Sequence, residues 1–186
     1  MKALRRLSAA TLLLTGAIAL SGCTGTTVKP SLTHQDARKT YSTVAVGRIA
    51  ASDELWHNYT VEIQRELAAE LIASKAFSQV LDSMPTAPPA DALTVSGRIT
   101  EVEKGSAAAR WIVGLGAGRA HMTAEFELKD ASGNQLGTYS VRKTYAGGAG
   151  IGGAGFLDMD DLARKLGTAA ADSLAEWAKT GKFQER

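Results

Sequence analysis

Cysteine occurs once in the 186 residues, so no disulfide can form within one molecule and no cysteine-based metal cage can be built. Histidine is almost as scarce. His34, His57 and His121 share no zinc-ligand spacing, and neither an HExxH helix nor a GxSxG nucleophile turn is present. With 45% hydrophobic and 22% charged residues and only four prolines, a collagen-like or low-complexity chain is excluded. Strong charge of one sign is also missing. The formal charge is +2; without residues 1–22, which hold Lys2, Arg5 and Arg6 and no acid, 18 basic face 19 acidic residues, a net −1. A cationic nucleic-acid binder is disfavoured on those numbers. The longest apolar run, Ala9 to Leu20, is well short of the roughly 20 residues a bilayer-spanning helix needs.

What that run does have is the right company. Lys2, Arg5 and Arg6 precede it and small residues follow, the three-part build of a secretory signal. Leu20-Ser21-Gly22-Cys23 resembles the lipobox of bacterial lipoproteins. That resemblance implies cleavage before Cys23, whose thiolate takes up a diacylglycerol, with a fatty acyl group added on its amine. Each buried methylene contributes about 0.8 kcal/mol, and two or more chains anchor stably. Thr24, where Asp would mark retention, resembles outer-membrane sorting. The expected location is the inner leaflet of the outer membrane, facing the periplasm, if the cell is Gram-negative. Residues 24–42 are polar, contain Pro30 and show no apolar period, as in a tether. The expected organisation is a signal peptide over 1–22, a lipidated flexible tether over 23–42 and a single domain over 43–186.

Within that domain, residues 43–49 form an apolar, β-branched run that reads as a buried strand. Ser52 and Asp53 supply capping side chains before Trp56, Tyr59, Ile63, Leu67 and Leu71, an amphipathic helical stripe. A short strand is expected over 77–81, with Pro85, Pro88 and Pro89 in the loop beyond it. Alternation predicts strands over 93–102, 119–129 and 136–145. In the second of these Ala120, Met122, Ala124, Phe126 and Leu128 share one face. Asp130 to Asn134 has hairpin-turn chemistry. Asp158, Asp160 and Asp161 favour a helix start before the stripe Leu162, Leu166, Ala170, Leu174 and Trp177, with Lys179 and Gly181 at its stop. The order predicts an α+β fold: a two-layer sandwich of one mixed, mostly antiparallel sheet of about five strands with two long helices on one face.

Ten glycines fall in two segments, 105–118 and 147–155. Neither is polar like a Gly/Ser linker, since Trp111, Ile112, Val113, Leu115 and Ile151 are interspersed and Phe156 follows. If the last three strands form a meander, both segments emerge at one end of the sheet, about 10 Å apart. Trp111, Ile112, Leu115, Ile151 and Phe156 are therefore the expected contact surface; the competing expectation is that they fill the core, with glycines serving turns. Gly148, Gly150 and Gly153 fit a dinucleotide fingerprint by spacing alone. Following the last strand, the match leaves no second parallel strand and is rejected. Gly114 and Gly118 are spaced as in packed membrane helices, in a run too short to span.

No catalytic constellation emerges. His121 and Glu125 share a strand face, Glu101 and Glu103 sit on one strand, and Arg98, Arg110, Arg119 and Arg142 are near the sheet. A solvated polar face accounts for all of them. The lipobox, residues 95–101 (VSGRITE), the 114–120 stretch and the 130–136 turn together resemble a family of bacterial lipoproteins of unknown function, DUF4410, over roughly residues 44–177. The resemblance implies a periplasm-facing envelope lipoprotein and transfers no catalytic residue. The expected role is binding, as an accessory part of an envelope complex, with an envelope protein as partner besides the membrane and no nucleic acid. The alternative is a lipid or glycan carrier or sensor using the glycine-rich end; an enzyme on envelope polymers is a third. No cofactor is expected beyond the acyl groups on Cys23, and oligomeric state is left open.

Overall fold

The computed structural model describes residues 25–32, 41–105, 119–145 and 158–183. In chain order the elements are β1 (Thr26–Leu32), β2 (Thr43–Ala51), α1 (His57–Ser74), β3 (Gln79–Leu81), β4 (Ala92–Glu103), β5 (His121–Asp130), β6 (Gln135–Thr144) and α2 (Met159–Thr180). A single 3-10 turn, Glu54–Trp56, leads into α1. The strands form one sheet in the order β1-β6-β5-β4-β2-β3. β2 runs parallel to β3 and β4, and the other neighbours are antiparallel. The fold is thus α+β, one open mixed sheet with two helices, as its patterning predicts.

Alternation explains which face is covered. Met122, Ala124, Phe126 and Leu128 of β5 are fully buried, while His121, Thr123, Glu125, Glu127 and Lys129 take the other face. Along α1, Ile63, Leu67 and Leu71 are buried, with Trp56 and Tyr59 packed at the margin. The whole expected stripe of α2, from Leu162 to Trp177, is buried with them in one core. The helices touch closely at Gly167, where an added Cβ would stand 2.9 Å from both the Ile63 carbonyl oxygen and Glu66 Cβ. Asp158 caps α2 by accepting from the backbone N–H groups of Asp160 and Asp161 at 2.9 and 3.1 Å, as its position at a helix start favours.

One expectation needs correcting. Thr26–Leu32, assigned by its polarity to the tether, is the sixth strand. It lies antiparallel along β6 with Val28 opposite Val141. Val28 is the one fully buried apolar side chain among the strand's described side chains, too little to create a hydrophobic period, and Pro30 argues against a central strand. Both facts suit an edge, where a residue without an N–H is tolerated because only one side is paired. Lys143 secures the strand by donating to Thr26 Oγ1 at 2.7 Å.

Two irregularities set which side chains face water. Between Ile99 and Glu101 the β4–β5 register slips by one residue. Simple alternation from Leu93 would put Glu101 and Glu103 on the core side. The extra residue, Thr100, reverses the parity and delivers both glutamates to the open face. A similar slip between Val46 and Ile49 occurs in β2. At its start β2 is buried on both faces, Thr43 and Ala45 included, where the connection to β4 crosses the sheet: Ser42 Oγ donates to the Asp91 carboxylate and Met84 lies against Gly47.

Candidate functional site

The antiparallel run β4-β5-β6 settles where the glycine-rich segments attach. Glu103 is opposite His121 and His121 is opposite Thr144. Residues 106–118 therefore leave β4 and return to β5 at the same sheet end at which residues 146–157 leave β6. β1 also begins there, with Thr26 opposite Lys143 and the Gly25 carbonyl accepting from Thr144 N–H at 2.9 Å. The expected contact side chains themselves, Trp111, Ile112, Leu115, Ile151 and Phe156, lie outside the described residues, as do Leu20, Ser21, Gly22 and Cys23.

On the open face beside this end sits a polar cluster built from three strands. Glu101 receives His121 Nε2 at 3.1 Å, Arg142 at 3.4 Å and the Thr123 hydroxyl at 3.2 Å. His121 is the least exposed of the charged trio, at 12%, against 49% for Glu101. Its Nδ1 is 3.3 Å from the Arg119 carbonyl oxygen, and its Nε2 is 2.6 Å from Arg142. The two ring nitrogens thus meet different partners according to protonation. Protonated, His121 donates to Glu101 and to Arg119; neutral, with Nδ1–H toward Arg119, its Nε2 accepts from Arg142.

The His121 hydrogen bond, followed by the charges of His121 and Arg142 and the Thr123 hydroxyl, lowers the Glu101 pKa despite partial burial. A depressed folded-state value means that Glu101 contributes stability fully above its ordinary pKa of 4.5. That contribution is lost as pH falls through the lower folded value. Denaturant midpoints measured at pH 7 and pH 3 should therefore fall further for the wild-type chain than for Glu101→Gln. The difference is small, because half-exposed pairs are well screened.

His121 and Glu125 share the open face, as the alternation predicts, but do not pair. Those positions are about 13 Å apart in an extended chain, whereas cross-strand neighbours are about 5 Å apart. Glu125 instead approaches Arg98 at 3.9 Å, and Glu103 accepts from the Gly105 N–H at 3.0 Å. Arg98 and Arg142 hold different glutamates, Arg119 is exposed, and Arg110 lies outside the described residues. Among the described residues, Arg98 and Arg142 are therefore not gathered on one partner. The missed signal was the slip at Thr100, which no alternation count exposes.

Two shallow clefts lie among the described residues. One, about 320 Å³, lies over the open face between Ser96, Arg98, Glu125, Glu127 and Thr138. The other, about 250 Å³, separates β1 and β6 from α2 and is lined by Thr26, Lys143, Lys165, Thr168 and Asp172. There burial, helped by the nearby Lys165 charge, lowers the Lys143 pKa, while Asp172 opposes the shift. Among the described residues no set of histidine, cysteine and carboxylate side chains is grouped to hold a metal ion. None of the described helices is long and apolar enough to cross a membrane.

Sheet order, helices on one face and a common end for both glycine-rich segments define an α+β module with a polar open face. Residues 27–149 match the family described as a domain of unknown function, DUF4410, and the chain belongs to that family. Among solved structures, the PelC dodecamer from Paraburkholderia phytofirmans is similar in fold. It is 17% identical, with 78% of this chain and 94% of that chain covered at a TM-score of 0.50. A PDZ domain protein from Parabacteroides distasonis aligns at 10% identity and TM-score 0.48, over 87% of this chain and 37% of that one. No curated protein matches the chain in sequence.

Proposed function

We propose that this chain is a lipid-anchored envelope lipoprotein that works by binding, as an accessory part of an envelope complex. One observation carries the reading: the sole cysteine, Cys23, closes a Leu-Ser-Gly-Cys box after an apolar run and an arginine pair. In this reading residues 1–22 are removed and the acylated Cys23 holds the module on the inner leaflet of the outer membrane, facing the periplasm. The acyl groups are its only non-protein part. The module has no catalytic role and no nucleic-acid partner. Its partner is an envelope protein, met through Trp111, Ile112, Leu115, Ile151 and Phe156. The attachment of both glycine-rich segments at one sheet end supports that choice.

In-membrane cross-linking followed by mass spectrometry tests it. Wild-type protein should yield a reproducible envelope-protein neighbour that disappears in the double variant Trp111→Ser, Ile151→Ser while the thermal transition persists. Loss of folding in that variant would place these side chains in the core and overturn the contact surface. Co-purifying lipid or glycan with no protein neighbour would favour the carrier reading.

A further inference from the structure

We propose that the sheet end where β1 begins faces the lipid surface, so that the open face stands upright to it, the Asp130–Asn134 hairpin projects away from it, and the partner met by the glycine-rich segments is an envelope protein seated in the same membrane. The inference rests on the lipid-anchor reading and adds an orientation to it. Its basis is a chain length. A polar tether of residues 23–42 would let the module stand off the membrane by many ångströms in any direction. The strand Thr26–Leu32 removes that freedom. Gly25 is already fixed to the sheet, its carbonyl oxygen accepting from Thr144 N–H. Only two peptide units separate it from Cys23, a reach of about 7 Å at full extension. An acylated Cys23 therefore brings the lipid boundary to within a few ångströms of the ends of β1 and β6. The opposite end, ten residues along β6, lies about 30 Å away.

A single tether at one edge would still allow the module to tilt. β1 is the edge strand on one side of the sheet, and β2 lies four strand spacings across it, about 19 Å. β2 runs parallel to β4, so the turn after it opens toward the anchored end. In that turn Leu55 is 83% exposed, the most exposed large apolar side chain among the described residues, next to the half-buried Trp56. A leucine projecting beside a tryptophan suits the boundary between headgroups and acyl chains, where both gain from partial insertion. The thioether at one edge and Leu55 toward the other give two-point support. Lys104 and Arg119, both exposed, flank the centre of the same end at headgroup level.

The chain's cysteine content makes the test direct. With Cys23 acylated, one introduced cysteine is the sole thiol. Lys104→Cys, Arg119→Cys, Leu55→Cys and Asn134→Cys would each be made in the full chain, processed in cells, labelled with bimane and reconstituted into phosphatidylethanolamine–phosphatidylglycerol vesicles. Lipids carrying a doxyl quencher should quench the labels at 104, 119 and 55 several-fold more than the label at 134. Equal quenching at both ends, or stronger quenching at 134, overturns the orientation. The intact mass of each sample separates the two ideas. An acylated protein with unquenched labels at 104 and 119 defeats this inference alone, whereas a protein without acyl mass on Cys23 defeats the anchor beneath it.

Discussion

Replacing Cys23 with alanine should abolish fatty-acid labelling completely and leave the uncleaved precursor, heavier by the 22 residues that precede Cys23. The reason is chemical. Alanine offers no nucleophile for the diacylglycerol, and the thiol is the chain's only sulfhydryl, so no second position can substitute. Energetically the loss is large. One acyl chain alone gives an association constant on the order of 10⁴ M⁻¹, and a second chain raises it by several orders of magnitude. The apolar run left in the precursor is shorter than the roughly 20 residues of a membrane span. Outer-membrane fractions should therefore be depleted of the variant. Metabolic labelling with a radioactive fatty acid, membrane fractionation and intact mass give three independent readings. A conservative Cys23→Ser should behave like alanine, since a hydroxyl does not replace a thiolate in this alkylation. Full labelling of either variant would dispose of the lipobox reading.

How much of this was legible beforehand depended on whether a position's burial follows from its local period. β5 was fully legible, since it buries one unbroken stripe that counting by two finds; in α2 counting by three and four finds the large core side chains, all buried, but not the flanking Met159, Ala163, Gly167, Ala169, Ala171 and Ala175 that are buried with them. β1 was not, because an edge strand of mostly polar residues, with Pro30 in its middle, carries almost no hydrophobic signal and its pairing is decided by β6 far along the chain. The candidate site was legible in outline. Attachment of two glycine-rich segments to one end follows from counting reversals between strands. The Glu101–His121–Arg142 cluster was not, since it depends on a one-residue slip at Thr100. Sequence distance is no guide there: residues 20 and 41 positions from Glu101 are its neighbours, while Glu125, four positions from His121, is paired elsewhere.

Tyr139→Ala is the core substitution with the largest expected cost, about 3–5 kcal/mol, a large share of the roughly 5–15 kcal/mol that holds a domain folded. Its ring is fully buried and sits in a ladder that ties sheet to helix. Phe126 stacks on one side at 5.0 Å and Phe183, beyond the end of α2, stacks at 4.9 Å. Phe183 continues to Trp177 at 5.8 Å, and Trp177 to Tyr41 at 6.2 Å. Truncation at 139 thus empties the middle of the ladder and leaves Phe183, near the C-terminus, without its partner on β6. The hydroxyl matters less. It donates to the Ala170 carbonyl oxygen at 3.3 Å, a long bond to an oxygen within α2. Burial drives its pKa far above the ordinary phenol range, so the donor persists at every pH the protein meets. Tyr139→Phe keeps the stack and should cost only about 1 kcal/mol. Urea unfolding of both variants separates the two contributions. A midpoint for Tyr139→Ala within error of Tyr139→Phe would mean that the ladder is not what joins α2 to the sheet, and that the aliphatic stripe from Leu162 to Leu174 suffices alone.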